Sequence, residues 1–298
     1  MMRTPDFFLV GAPKCGTTAL HDYLAAHPQI FMCPRKESHH FCAAWSPSYL
    51  AGRDEYLALF AGAERERRVG EASVWYLYAP DAPAAIREFC PAAQVIIMLR
   101  NPLEMIHALH AHRLFIASED IKDFAAALAA EPRRKQKQSL PEWPYPIPGL
   151  FYRDVARYTA RVERYFETFG RDNVRVIIYD DFRAKTAGVY RDTCAWLNVD
   201  ESFTPDFRVV NAAKRIRSYK LRSLIDNPPA TLRRLGGPLV PRLVRHGILH
   251  KLRRLNTQHT PRQPIEPDLR RTLQREFRPD VERLSELLGR DLTHWCKE

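Results

Sequence analysis

Residues 7–20 read Phe7-Phe8-Leu9-Val10-Gly11-Ala12-Pro13-Lys14-Cys15-Gly16-Thr17-Thr18-Ala19-Leu20. Four consecutive apolar residues ending at a glycine have the form of a strand buried on both faces, and from Thr18 to Ala26 leucines and alanines recur at helical spacing. Strand, glycine turn and helix open a parallel α/β unit. Gly11 and Gly16 keep the spacing of the G-x-x-x-x-G-K-[ST] loop, whose backbone N–H groups and helix amino end wrap a phosphate. Thr17 stands where that motif has its lysine, and Lys14 sits inside the loop instead. From there its ammonium can reach an anionic or leaving oxygen.

Working outward, Gln94–Leu99 and Val174–Tyr179 repeat the buried-strand pattern, with shorter extended pieces at Ile30–Met32 and Val69–Glu71. Helices are predicted over Leu103–Phe115, Tyr152–Phe169, Ala184–Trp196 and from Pro267 to about Leu288. Long helices between inner strands describe an α/β, P-loop-like three-layer fold with a central parallel sheet flanked by helices. Residues 131–149 carry five prolines among charges and aromatics and are predicted to be a lid loop. With no repeat and no clean linker, residues 1–298 are expected to form a single domain, with a basic insertion at about 214–262.

The chain has 298 residues, 45% hydrophobic and 27% charged, a composition that excludes collagen-like, solenoid and disulfide-stapled architectures. No stretch approaches the roughly 20 apolar residues that cross a bilayer. Six cysteines, none in a C-x-x-C pair, suit free thiols in a reducing cytoplasm. The net charge of +11 is local: residues 214–262 hold 13 lysines and arginines against Asp226 as the single acid. Such a field implies an anionic ligand, a nucleic acid or an anionic membrane touched peripherally. Zinc-finger spacing, an RNP-like aromatic strand and a recognition helix are all missing from the sequence, so a nucleic-acid partner is not expected.

Several groups near predicted strand ends carry chemistry. In Lys36-Glu37-Ser38-His39-His40-Phe41 a carboxylate and two imidazoles can accept the proton of an incoming hydroxyl or amine. A metal is not expected there, because adjacent histidines on an extended chain diverge. Arg100 follows the Gln94–Leu99 strand, where open sheets place ligand contacts, and its fork suits a phosphate dianion. Lys214 and Arg215 can add to an anion site. Trp143 and Tyr145 in the proline-rich loop either face an acceptor ring or pack the loop down. Asp180 and Asp181 after the third long strand keep a metal-dependent P-loop nucleotide phosphotransferase open, and the basic run keeps open a non-enzymatic anion or nucleic-acid binding protein.

The stretch FFLVGAPKCGTTAL resembles the phosphosulfate-binding loop of the sulfotransferases that use 3′-phosphoadenosine 5′-phosphosulfate (PAPS), in their bacterial and Golgi-type branch. PRKESHHF (34–41), GEASVWYLY (70–78), VIIMLRNP (95–102), the block from GLFYRDVARY to VRVIIYDDF and AWLNVD (195–200) extend the likeness over most of the chain. The resemblance implies sulfuryl transfer from PAPS, with no metal, to a small-molecule, glycan or lipid-linked acceptor. It implies that the loop residues Pro13, Cys15, Gly16, Thr17 and Thr18 hold the 5′-phosphate and that Lys14 stabilises the bridging oxygen. Glu37 becomes the general base, with His39 at the family's following histidine position. Glu71 and Ser73 would stand beside the lysine and the acceptor, and Arg100 would grip the 3′-phosphate. Ser38 and Val74 replace prolines usual in the family, and Ala108 replaces the serine that accompanies Arg100. His107 or His110 is a candidate to compensate.

Overall fold

Phe7, Phe8, Leu9, Val10 and Gly11 are all buried, side chains of both parities alike, so the first strand is covered on both faces. It lies at the centre of the sheet in a computed structural model that describes residues 3–42, 45, 52–144, 146–208, 214–216, 257–259 and 263–297. The strands are β1 (Phe7–Gly11), β2 (Ile30–Met32), β3 (Arg68–Ala72), β4 (Gln94–Leu99) and β5 (Val174–Ile178), in the order β2-β3-β1-β4-β5 with every pair parallel. Leu9 lies beside Ala72 on one side and Ile96 on the other, so the carboxyl ends of the strands open along one edge. The piece at residues 69–71 is thus an inner strand. Gly70 makes room for it: a β-carbon there would stand 2.3 Å from the Phe7 ring and 2.5 Å from the Met32 sulfur.

The helices flanking this sheet are α1 (Thr17–Ala25), α2 (Arg53–Ala58), α3 (Ala82–Phe89), α4 (Pro102–Phe115), α5 (Phe124–Ala129), α6 (Glu131–Lys135), α7 (Tyr152–Ala156), α8 (Thr159–Phe169), α9 (Tyr179–Ala184), α10 (Thr186–Trp196) and α11 (Pro267–Leu288). Helix α4 begins sharply because Asn101 Oδ1 accepts from the N–H groups of Leu103 (3.0 Å) and Glu104 (3.4 Å), with Pro102 as its first residue. The continuous helix predicted over 152–169 is instead broken between α7 and α8. Asp280 of α11 takes the Tyr158 N–H at 2.7 Å, and its carbonyl takes the Thr159 hydroxyl at 2.8 Å, so a distant carboxylate replaces the helical partner.

Residues 131–149 do not start as a loop: their first five form α6, and Ile147–Leu150 is a 3₁₀ turn. Helix α6 is tied down by a fully buried ion pair, in which Arg134 donates to both Glu119 oxygens at 2.7 and 2.6 Å while the Tyr152 hydroxyl donates to Glu119 at 2.8 Å. Removing one partner strands the other charge. Arg134→Met is expected to cost about 3–5 kcal/mol in urea unfolding, and Arg134→Met combined with Glu119→Leu to recover much of it. A single variant as stable as the parent would show that the pair contributes nothing.

The chain divides into two compact units, 1–210 with 265–298, and 211–264. In the second, β6 (Lys214–Ile216) and β7 (Thr257–His259) pair antiparallel, Lys214 opposite His259. Most of the basic run, 217–256 and 260–262, lies outside the described residues.

Candidate active site

Between β1 and α1 the chain turns through two left-handed residues, Lys14 (φ 61°) and Gly16 (φ 90°). Gly16 is required twice over, by its φ and because a β-carbon would meet the Tyr179 ring at 3.1 Å. Helix α1 then starts at Thr17 with no side-chain cap, so its first-turn N–H groups are left for an anion. Lys14 is half-buried, Thr17 buried and Thr18 half-buried. The Cys15 thiol is sealed below the loop, 3.4 Å from the Pro13 carbonyl, and burial pushes it up to about 12. Cys15 therefore offers a ligand its backbone amide and not its sulfur.

One strand over, Arg100 leaves the end of β4 with its guanidinium 4.8 Å from the centre of the Tyr179 ring and 3.9 Å from Glu104. Tyr179 thus packs against both the Gly16 turn and Arg100. Glu104 is shared with Arg270 of α11 at 3.1 Å. Ala108 is buried. His110 does not replace the missing serine: it is buried, its Nε2 lies 2.9 Å from the Ile121 carbonyl, and burial pulls it below the usual histidine range. The neutral ring donates to that carbonyl and belongs to the core. His107 packs its ring 5.1 Å from Phe124.

On the other side of β1, the segment after β2 carries Glu37 (φ 65°) and His39 (φ 56°), both in the left-handed region unusual for residues with side chains. Glu37 is fixed to the neighbouring strand end, its N–H donating to the Ala72 carbonyl at 2.8 Å and its Oε2 accepting from the Val74 N–H at 3.0 Å. Lys36 Nζ lies 2.5 Å from Oε1, and His39 Nε2 lies 3.6 Å from Oε2. The second ring nitrogen of His39 faces the buried Cys42 sulfur at 3.7 Å. Burial pulls His39 down, with the Glu37 carboxylate opposing. Beneath this loop Glu71 and Ser73 are completely buried, Ser73 donating to Glu71 Oε1 at 2.6 Å and accepting the His39 N–H at 3.1 Å. Burial pushes Glu71 up to about 7.

A family model described as "Sulfotransferase family" matches residues 5–82, the stretch that holds the loop, Glu37 and Glu71. The crystal structure of a sulfotransferase from Alicyclobacillus acidocaldarius is 31% identical and superposes with a TM-score of 0.75 over 99% of this chain and 100% of that one. The chain belongs to the PAPS-dependent sulfotransferase family. It is also similar to the membrane-associated sulfotransferase kil1 of Dictyostelium discoideum, 33% identical over 108 residues, 35% of this chain and 22% of that protein. The bifunctional heparan sulfate N-deacetylase/N-sulfotransferase 1 of Caenorhabditis briggsae is 24% identical over 213 residues, 66% of this chain and 23% of that protein. The chain spans less than a quarter of the length of these two curated relatives.

The structure of this sulfotransferase-family chain brings the β1 loop, Glu37, His39, Glu71, Ser73 and Arg100 to one edge of the sheet. Trp143 is not part of that cluster by any described contact and is 60% exposed. Tyr145 lies outside the described residues. Of Lys214 and Arg215 only the backbone is described, as part of β6 in the second unit. Asp180 and Asp181, the residues that kept a metal-dependent phosphotransferase open, are engaged elsewhere: Asp180 accepts from the Trp295 indole at 2.9 Å, and Asp181 pairs with both terminal nitrogens of Arg290. Sequence reasoning missed Tyr179, Lys36 and Cys42. Lys36 was visible as Glu37's neighbour. Tyr179 carried only its position at a strand's carboxyl end, and Cys42 only a spacing of three from His39.

Proposed function

We propose that this protein transfers a sulfuryl group from PAPS to an acceptor hydroxyl. The observation that carries the reading is the placement of Lys14, in a left-handed turn within the uncapped phosphate loop, on the same sheet edge as Glu37 and Arg100. The donor set suits PAPS: first-turn amides and the Thr17 and Thr18 hydroxyls for the 5′ side, Arg100 for the 3′-phosphate, and the Tyr179 ring packed against both the Gly16 turn and Arg100. When bound, PAPS supplies the sulfuryl group and leaves 3′-phosphoadenosine 5′-phosphate (PAP).

In this reading Lys14 neutralises charge developing on the bridging oxygen, where a fixed cation acts most strongly. Glu37 takes the acceptor proton; His39 orients it by donating from Nε2. Lys36, now against Oε1, swings aside as the acceptor hydroxyl takes its place. The names of the heparan sulfate and carbohydrate sulfotransferase relatives support a glycan or other small hydroxylated acceptor, lipid-linked ones included. Among the described residues no helix is long and apolar enough to cross a membrane. The basic 214–262 run serves capture of an anionic donor or acceptor, and of an anionic membrane surface where the acceptor is lipid-linked.

Calorimetry in EDTA is the direct test: PAP should bind without magnesium. ATP binding that requires magnesium, with no PAP binding, would replace this reading by a metal-dependent phosphotransferase. In the same assay Arg100→Ala should weaken PAP at least about 10-fold and adenosine 5′-phosphate hardly at all, because only PAP presents the additional dianion. Equal losses for both ligands would place Arg100 outside the 3′-phosphate site.

A further inference from the structure

Beneath the Glu37–His39 loop lies a set of buried hydroxyls whose protons converge on one carboxylate. Ser73 and Ser38 both donate to Glu71 Oε1, at 2.6 and 3.0 Å, and Tyr56 donates to Oε2 at 3.4 Å. Since Ser38 spends its proton on Glu71, the 3.1 Å contact between Ser38 and Tyr76 is made by the Tyr76 hydroxyl donating. The hydroxyl lone pairs are thereby turned outward to the loop. Ser73 accepts the His39 N–H at 3.1 Å, Ser38 the His40 N–H at 3.4 Å and Tyr76 the Phe41 N–H at 3.4 Å. Three consecutive loop amides are read by three hydroxyls, and all three hydroxyls take their orientation from Glu71.

The loop needs such support. Glu37 and His39 both hold left-handed conformations, which side-chain-bearing residues keep only where the surroundings over-determine them. Glu37's own hydrogen bonds run to Ala72 and Val74, which flank Ser73 on the chain, so the hub and the carboxylate share one anchor at the end of β3. Glu71 is completely buried. We propose that Glu71 is a positioning residue, which holds the Glu37–His39 loop in its reactive shape through Ser73, Ser38 and Tyr76. What the network asks of residue 71 is an acceptor at Oε1. Oε2, which faces the Tyr56 hydroxyl, can carry a proton, so acceptance at Oε1 does not depend on the charge of the group. Glutamine, with its carbonyl at Oε1 and its amide toward Tyr56, preserves the arrangement, and leucine destroys it.

The inference rests on the sulfuryl-transfer reading with Glu37 as base, and its test separates the two. Single-turnover transfer, PAP affinity and backbone hydrogen exchange of residues 37–41 are measured on the full chain for Glu71→Gln, Glu71→Leu and Ser73→Ala. Ser73→Ala keeps the test in force should Glu71→Leu not fold. Glu71→Gln should stay within about threefold of the parent, while Glu71→Leu and Ser73→Ala slow transfer at least about 10-fold and speed exchange of the loop, with PAP affinity unchanged. In a Glu37→Gln background Ser73→Ala should cost nothing further, because it acts through Glu37. A parent-like rate in Ser73→Ala, unchanged loop exchange, or a Glu71→Gln enzyme as slow as Glu71→Leu would overturn the proposal. A parent protein that fails to bind PAP would overturn the sulfuryl-transfer reading instead, and the exchange arm would still decide whether Glu71 holds the loop.

Discussion

Glu37→Gln is expected to slow single-turnover sulfuryl transfer at least about 100-fold while leaving PAP affinity intact, because the amide keeps the shape of the carboxylate and cannot take the acceptor proton. The two groups that compete for the base role differ in what surrounds them. His39 has one ring nitrogen facing Glu37 and the other facing Cys42, and burial disfavours its charged form. Taking up a proton would place an imidazolium in that buried position. Glu37 is less buried than His39, and its two oxygens meet Lys36 and the Val74 N–H. His39→Asn should therefore cost less, through lost orientation. Saturating donor and acceptor in a rapid-quench experiment isolates the chemical step. A slow His39→Asn enzyme beside a nearly unimpaired Glu37→Gln enzyme would transfer the base role to the histidine.

Lys14→Ala should lower kcat at least about 100-fold with little change in PAPS affinity, the pattern of a contact that strengthens as charge develops. In PAPS the bridging oxygen carries little charge until the S–O bond breaks, after which it remains with PAP as a 5′-phosphate oxygen, so the ground-state donor has little to lose. In the proposed reading the loop holds the 5′-phosphate through the amides of Cys15 to Thr18 at the start of α1, which has no side-chain cap, and the substitution leaves these in place. Near-normal kcat with a raised donor KM would make Lys14 a binding residue only.

These expectations lean on residues that were legible in very different degrees. The β1 loop could be read outright, because its message is local: a buried strand, two glycines at fixed spacing and a helix start, all within 14 residues. The other long strands announced themselves in the same way, by short, mainly apolar runs, buried on both faces in β4 and in part in β5. The break at Tyr158 was not legible, since helical periodicity continues through it and the Asp280 that interrupts it is 122 residues away. Nor was α6 legible as a helix. Five prolines in the surrounding stretch signalled loop, and the buried Arg134–Glu119 pair that fixes α6 joins charged residues whose burial no local pattern signals.

The candidate site divides along the same line. Lys14, Glu37 and Arg100 could be placed from sequence because each follows a strand, and parallel strands bring their carboxyl ends to one edge whatever their order. The sequence by itself determined the α/β class and the glycine-spaced loop with its displaced lysine, and it picked out a carboxylate and an arginine that follow neighbouring strands. Only the tertiary structure decided that His110 belongs to the core, that Tyr179 packs against both the Gly16 turn and Arg100, and that Glu71 lies buried beneath the Glu37–His39 loop among the hydroxyls of Ser73, Ser38 and Tyr56. Propensity, spacing and turn chemistry act between near neighbours along the chain. Burial, and the direction in which a hydroxyl donates, are set by groups that meet only once β2 has packed beside β3 and β3 beside β1.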